Sequence, residues 1–278
     1  MNLKYSLEDI FYAKADEHGM SLDLSNPKTL TDKMIWLELY DPSNHLKPIC
    51  ADKIGVREYA KEKLGKDICV PLIKVYESPE EFSLSELPSK FVLKSSNSYN
   101  QNLICTDKNN LNETDVRTKM KNWGSVVHGI NTCEPHYLYI QRRYFAEKFI
   151  STKGQKDLVD YKFLCFNGQP KYMQLIQDRH GPNKRLQYYD MNMKFVDICR
   201  NDFKNRPDMK SNDVLPKCFD LMKEYATKLA APFKFVRVDF YEVGNKVYLG
   251  EMTFTPGTCF IKYKNPNTDR MLGDMLKL

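Results

Sequence analysis

Apolar residues recur at helical spacing over 30–40, where Trp36, Leu37 and Tyr40 mark the apolar side of a predicted helix. A second helix is expected after Asp52, which is placed to cap it, and Gly65 closes it. Ile54, Tyr59, Ala60 and Leu64 follow the helical period there, and Val56 fits it least well. A strand over 68–76 comes next. Residues 77–88, with two prolines and four glutamates, read as short helical turns at a boundary between units.

Beyond that boundary the pattern changes to short strands. Phe91–Lys94 is one, and Leu103–Cys105 is its return. The connection, Ser95–Asn102, is built almost wholly from amides and hydroxyls, which suits either a hairpin tip or a loop offering N–H and O–H donors to phosphates. A helix is expected at 113–123 and strand material at 137–150, in two pieces, Tyr137–Ile140 and Arg143–Ile150. Strands 161–166 and 170–176 flank Asn167-Gly168, a hairpin signal. Residues 214–230 predict an amphipathic helix with Val214, Leu215, Cys218, Leu221, Met222, Tyr225 and Leu229 on one stripe.

Near the C-terminal end, 234–241 and 247–253 alternate with period two around Gly244-Asn245. Arg237, Asp239 and Tyr241 share one face. A turn over 244–246 sets Asp239 opposite Glu251 and Arg237 opposite Thr253, with paired side chains about 5 Å apart. An arginine, two carboxylates and a hydroxyl therefore meet on one side of a ribbon. Two readings fit: hard oxygen donors for Mg²⁺ that also holds phosphate, or a cross-strand ion pair of Arg237 with Glu251. Lys53 at a helix start, and Lys94 and Lys162 in strands, add phosphate-compatible cations. No glycine-rich P-loop and no dinucleotide fingerprint is present.

Composition narrows the class. The 278 residues are 42% hydrophobic and 28% charged, enough for a sizeable core. The net charge of +6 is spread along the chain rather than gathered in a stripe, so no nucleic-acid partner is expected. No apolar run reaches membrane-spanning length, and the first residues lack a signal-peptide pattern, so the expected compartment is the cytoplasm. The eight cysteines form no Cys-x-x-Cys pair and read as reduced core residues.

The order of Asp52-Lys53…Val56-Arg57-Glu58-Tyr59, Phe91-Val92-Leu93-Lys94, Ala146-Glu147-Lys148-Phe149, Asp160-Tyr161-Lys162-Phe163, Phe235-Val236-Arg237-Val238-Asp239 and Gly250-Glu251-Met252-Thr253-Phe254-Thr255-Pro256-Gly257 resembles the TupA-like ATP-grasp group, associated with teichuronopeptide and cell-surface polysaccharide synthesis. The resemblance implies an α+β ATP-grasp fold: two α+β lobes clamping a nucleotide, preceded by a reduced N-terminal α/β lobe. It implies an N-terminal lobe over 1–88, a first ATP-grasp subdomain over 89–149 and a C-terminal one over 150–278. ATP and Mg²⁺ are the implied cofactors. Lys53, Lys94 and Lys162 would meet phosphates, with Ser95, Ser96 and Asn97 covering them. Glu147, Lys148 and Phe149 would contact adenine, and Asp160 or Asp157 the ribose. Asp239, Glu251 and Thr253 would hold the metal. Arg237, with Lys94 and Lys162, would serve the reacting centre.

The implied reaction is amide formation through an acyl phosphate. An amine or amino acid would be joined to the carboxylate of a glycan or sugar precursor, in a setting compatible with a membrane-associated glycan-synthesis complex. Asp178 and His180 are the candidate bases, and Asp178-Arg179-His180…Lys184-Arg185 suits a uronic acid. Two departures stand out: Thr253 occupies a position where the superfamily often has Asn, and the loop after Lys94 has no glycine. A capsule or O-antigen glycosyltransferase, and a nucleotide-binding pseudo-enzyme, are the alternatives.

Overall fold

The computed structural model describes residues 6–126, 128–151, 158–179, 181–182, 184–202 and 213–278. Helices α1 (Leu7–Glu17), α2 (Leu30–Tyr40), α3 (Lys47–Ala51) and α4 (Gly55–Leu64) lead into strand β1 (Leu72–Tyr76). Strands β2 (Phe91–Ser95) and β3 (Asn102–Cys105), helix α5 (Glu113–Ser125) and strand β4 (Tyr144–Lys148) follow. Then come β5 (Asp160–Phe166), β6 (Gln169–Gln177), β7 (Arg185–Asp190), β8 (Phe195–Val196), α6 (Phe219–Ala230), β9 (Phe235–Val243), β10 (Lys246–Thr253) and α7 (Thr268–Asp274).

Two antiparallel sheets result, one of four strands in the order β1-β4-β2-β3 and one of six in the order β10-β9-β5-β6-β7-β8. In the smaller sheet, β1 pairs with β4, so its strands come from both sides of the boundary expected at 88. One face packs on α5 through Phe91, Leu93, Val116, Met120 and Trp123. The larger sheet is covered on both faces. Tyr161, Phe163, Val236, Val238 and Phe240 meet α3, α4 and α6 on one side. Leu164, Phe166, Leu186 and Phe235 meet α1, α2 and α7 on the other. Alternation along each strand assigns residues to these faces.

Several local expectations shift. α2 is capped by a Thr29–Asp32 capping box, but Tyr40 is 46% exposed because it lies at the helix end. Asp52 terminates α3 instead of capping α4; its carboxylate accepts from the Ile54 N–H at 2.9 Å. Gly65 does close α4, at φ 70°. The first residues of the strand expected at 68–76 stay outside β1, although Cys69 bridges to Leu249. Tyr137–Ile140 is not a strand: Pro135–Tyr139 forms a 3-10 turn, favoured by Pro at its start. α6 begins at Phe219, and Val214 and Leu215 precede it, exposed. Asp157 and His180 lie outside the described residues.

A buried polar knot ties α2 to this 3-10 turn. Glu38 accepts from Lys47 Nζ at 2.8 Å, and its other oxygen lies 2.8 Å from His136 Nδ1. Lys47 also donates to the Leu37 carbonyl at 2.9 Å. Burial opposes the Glu38 charge, but Lys47 and His136 outweigh it and hold the carboxyl at about 2. A folded-state value below the unfolded one of 4.5 gives stability that is present above pH 4.5 and lost as pH falls towards 2. Lys47→Met leaves Glu38 buried with one partner fewer. The expected loss is about 3 kcal/mol in urea unfolding at pH 7, with less acid-induced loss between pH 4.5 and 2 than in the wild type.

Candidate active site

The C-terminal hairpin turns through Gly244-Asn245 alone, both at positive φ (55° and 63°), so Lys246 pairs with Val243. That two-residue turn would misalign the acidic pair by one residue. A bulge between Leu249 and Glu251 restores it: Glu251 faces Asp239, and Thr253 faces Arg237. The pairing expected from a longer turn therefore holds, with the extra residue placed at Gly250. A Cβ on Gly250 would lie 2.9 Å from the Tyr241 ring, which accounts for glycine there.

Register extends the cluster across the sheet. Lys162 on β5 lies directly opposite Asp239, and Gln174 on β6 lies opposite Lys162. Arg237 donates through Nε and a terminal nitrogen to the two Asp239 oxygens, both at 2.7 Å. The same nitrogen reaches Glu251 and Thr253 Oγ1, each at 3.0 Å. Lys162 also bonds Asp239 and lies 3.5 Å from Asp160, which Arg179 approaches at 3.4 Å. Glu251 keeps 31% of its side chain exposed, and its second oxygen is 3.9 Å from Lys53 Nζ. Burial works against the Glu251 charge, but Lys53, Lys162 and Arg237 outweigh it and keep the carboxyl well below the ordinary range. Burial pushes the Lys53 ammonium down.

Lys53, Lys162, Gln174, Arg179, Arg237, Glu251 and Thr253 open onto a cavity of about 380 Å³, and Asp239 and Asp160 lie buried behind them. Lys53, Lys94, Lys162, Lys184, Arg179, Arg200 and Arg237 line it, against the carboxylates Glu134, Asp202 and Glu251. Seven cations facing three carboxylates make an electropositive chamber suited to a polyanion. Among the described residues, no group of three or more His, Cys, Asp or Glu side chains is placed to hold a metal. Asp239, Glu251 and Thr253 offer too few oxygens to enclose Mg²⁺ alone. Glu251 and Thr253 line the cavity, whereas Asp239 lies behind them, buried, with both carboxylate oxygens bonded to Arg237 and Lys162.

The loop after Lys94 divides. Ser95, Ser96 and Asn97 are buried and turned inward: Ser95 donates to Asn97, the Arg143 N–H donates to Ser96 Oγ at 3.1 Å, and Arg142 donates to Asn97 at 3.0 Å. The cavity is lined instead by Ser98–Asn102, and Asn100 takes the positive φ (57°) that glycine would otherwise supply. Lys53 donates to the Ser98 carbonyl, fastening the loop to the turn before α4. Lys94 pairs with buried Glu147, which also meets Arg57 at 3.1 Å. Lys53, Lys94, Arg57 and Glu147 also line a smaller adjoining hollow with Val56, Val70, Phe145 and Leu249. Lys148 is exposed, Phe149 is half-buried, and neither lines either cavity. Asp160 sits behind Lys162, fully buried.

With this geometry in place, comparison with known proteins decides the family. A family model described as TupA-like ATP-grasp matches residues 32–277. The chain belongs to that family. Solved structures with similar folds include the D-alanine–D-alanine ligase of Bacillus anthracis complexed with ATP (14% identity, 74% of this chain and 54% of that one, TM-score 0.41). Another is the D-alanine–D-alanine ligase of Helicobacter pylori (15%, 82% and 62%, TM-score 0.41). An ATP-grasp RimK domain protein from Sphaerobacter thermophilus aligns over 99% of this chain and 97% of its own (10%, TM-score 0.43). The chain thus spans just over half to three-fifths of the length of the two ligases. No curated protein matches.

Glu134, Tyr137 and Arg200 were not legible as site residues, because each reaches the cavity from outside the named strands and helices, whereas Ser98 lies in the polar loop expected to face phosphates. Tyr241 was on the correct face by alternation alone. Gly250→Val should push the Tyr241 ring aside and disturb the Glu251–Asp239 register. The expected result is at least about tenfold weaker Mg-ATP binding by calorimetry, with a stability loss of about 1–3 kcal/mol.

Proposed function

We propose that this protein is an ATP-dependent carboxylate–amine ligase. It would attach an amino acid or amine to a uronic-acid carboxyl of a surface polysaccharide or its precursor, through an acyl phosphate. The observation that carries the ligase reading is the joint placement of Lys53, Lys94, Lys162 and Arg237 around the open Glu251 carboxylate in one cavity. Family membership supports the use of ATP. The uronic-acid substrate is an extension of that reading, consistent with the further cations Arg179, Lys184 and Arg200 on the cavity wall, which could take a second anion.

Lys53 and Lys94 would neutralise the terminal phosphates, and the Ser98–Asn102 segment would close over them. Asp239, Glu251 and Thr253 would hold Mg²⁺, which when bound would neutralise phosphate charge. The acceptor carboxylate would approach in line with the transferred phosphoryl group. Arg237, already fixed by four hydrogen bonds to Asp239, Glu251 and Thr253, needs little reorganisation to stabilise negative charge at the carbonyl. Lys162 would hold Asp239 in place and face phosphate across the cavity.

The test is an ADP-release screen with Mg-ATP, uronic-acid donors and amino acids, followed by mass spectrometry of the product. ADP should appear only with both partners present, with a mass gain of one amide. Asp239→Asn and Glu251→Gln should each lower turnover by at least about 100-fold. Full turnover in either variant would overturn the metal assignment, and release of UDP, GDP or CMP from an added sugar nucleotide, without ATP use, would favour glycosyl transfer.

A further inference from the structure

Glu134 stands apart from every other carboxylate on the cavity wall. Glu251 is paired with Arg237 and Lys53, and Asp202 with Arg200 at 2.6 Å. Glu134 has no cationic partner within 4.0 Å among the described residues, although seven cations line the same chamber. It is only 3% exposed. One oxygen accepts from Thr255 Oγ1 at 3.0 Å, and the other, Oε2, is buried with no hydrogen-bond partner. A buried carboxylate oxygen without a partner is costly and points to a missing ligand.

The surroundings suit a small cation. Tyr99 and Tyr137 line the cavity with Glu134, and the His128 ring packs against both, 4.8 Å from Tyr99 and 6.0 Å from Tyr137. Aromatic faces beside a carboxylate favour an ammonium group. Both His128 nitrogens are buried without partners, and burial, with Arg142 and Lys53 nearby, pushes the imidazole down, so it adds no competing charge. Lys53 is committed to Glu251 and the Ser98 carbonyl. Burial raises the Glu134 carboxyl, against the pull of His136, Thr255 and Thr132, which makes it a stronger proton acceptor than an ordinary glutamate.

We propose that Glu134 receives the amine co-substrate, binding its ammonium group and accepting its proton as the nitrogen attacks. This rests on the ligase reading above. The ammonium must lose two of its three protons. One passes to Glu134 Oε2, freeing the lone pair. The nitrogen then bonds the acyl carbon, the bond from that carbon to the phosphate oxygen breaks, and the departing phosphate takes the electron pair and the second proton. Glu134 is thus a catalytic residue of the amine half-reaction and has no part in forming the acyl phosphate.

Glu134→Gln tests this directly. The amide keeps the Thr255 contact and mimics a permanently protonated glutamate, so a neutral structural acid would tolerate the change. Glucuronate or galacturonate serves as carboxylate, with either hydroxylamine or amino acids as nucleophile. Hydroxylamine is uncharged at neutral pH and needs neither an ammonium site nor a base. The variant should form hydroxamate at close to the wild-type rate and bind Mg-ATP normally by calorimetry. Its amide formation should fall at least about 100-fold, with a raised KM for the amine. Glu134→Asp, which retains the charge, should recover part of the loss. Butylammonium binding in the presence of a non-hydrolysable ATP analogue should weaken at least about tenfold in Glu134→Gln, a readout independent of turnover. Amide formation and butylammonium binding at wild-type levels in Glu134→Gln would overturn the proposal. Absence of hydroxamate and ADP from the wild type with every carboxylate would instead remove the ligase reading, and this one with it.

Discussion

The arrangement of the whole site depends on Arg237 and the acids it holds on a sheet face that is otherwise oily. The same face of β5 and β9 runs from Phe166, Phe235 and Leu164 at one end to Lys162, Asp239 and Arg237 at the other. Withdrawing charges from water is costly unless each finds a partner of opposite sign at hydrogen-bond distance. Here strand register supplies the partners. Lys162, Asp239 and Glu251 occupy neighbouring positions on three adjacent strands, and Arg237, two residues along, closes on both acids. The ionic row is thereby built into the backbone hydrogen bonding of the sheet.

Helices and turns then enclose the space in front of that row. The turn before α4 carries Lys53, and the loop after β2 is fastened to it through the Ser98 carbonyl and through the Lys53 N–H bond to the Ser96 carbonyl at 3.1 Å. The Glu38–Lys47–His136 knot anchors the turn that bears Glu134 and Tyr137 to α2. Thr255, just beyond β10, completes the join by bonding Glu134. These walls of the cavity are therefore each tethered by a polar contact to a neighbouring element. A pre-organised site of this kind keeps its charged groups oriented before substrate arrives.

The hairpin of β9 and β10 shows how sequence legibility and structural cause can part company. Alternation placed Arg237, Asp239, Glu251 and Thr253 together, because side-chain period is a property of any strand. The offset came from a bulge at Gly250, not from a third turn residue, and only the packing of Tyr241 against that glycine makes the difference visible. The glycine-free loop is a parallel case. Residue type suggested phosphate-facing hydroxyls along its whole length, yet Ser95, Ser96 and Asn97 satisfy one another and the strand beside them, and the later residues face the cavity. Small polar side chains bond whatever backbone lies nearest, and the sequence does not say which backbone that is.

The chain's own order of residues determined the three hairpins, helices α2, α4, α5 and α6, and the meeting of two acids with an arginine, because these depend on local periodicity and turn chemistry. It also carried the family resemblance, which lies in short motifs kept in sequence. The tertiary structure alone decided that β1 joins the smaller sheet, that Lys94 and Arg57 share Glu147, and that Glu134 reaches the cavity without a cation at its side. Those relations join residues far apart in sequence, and long-range pairing is fixed by how the buried faces fit together, which no local pattern encodes.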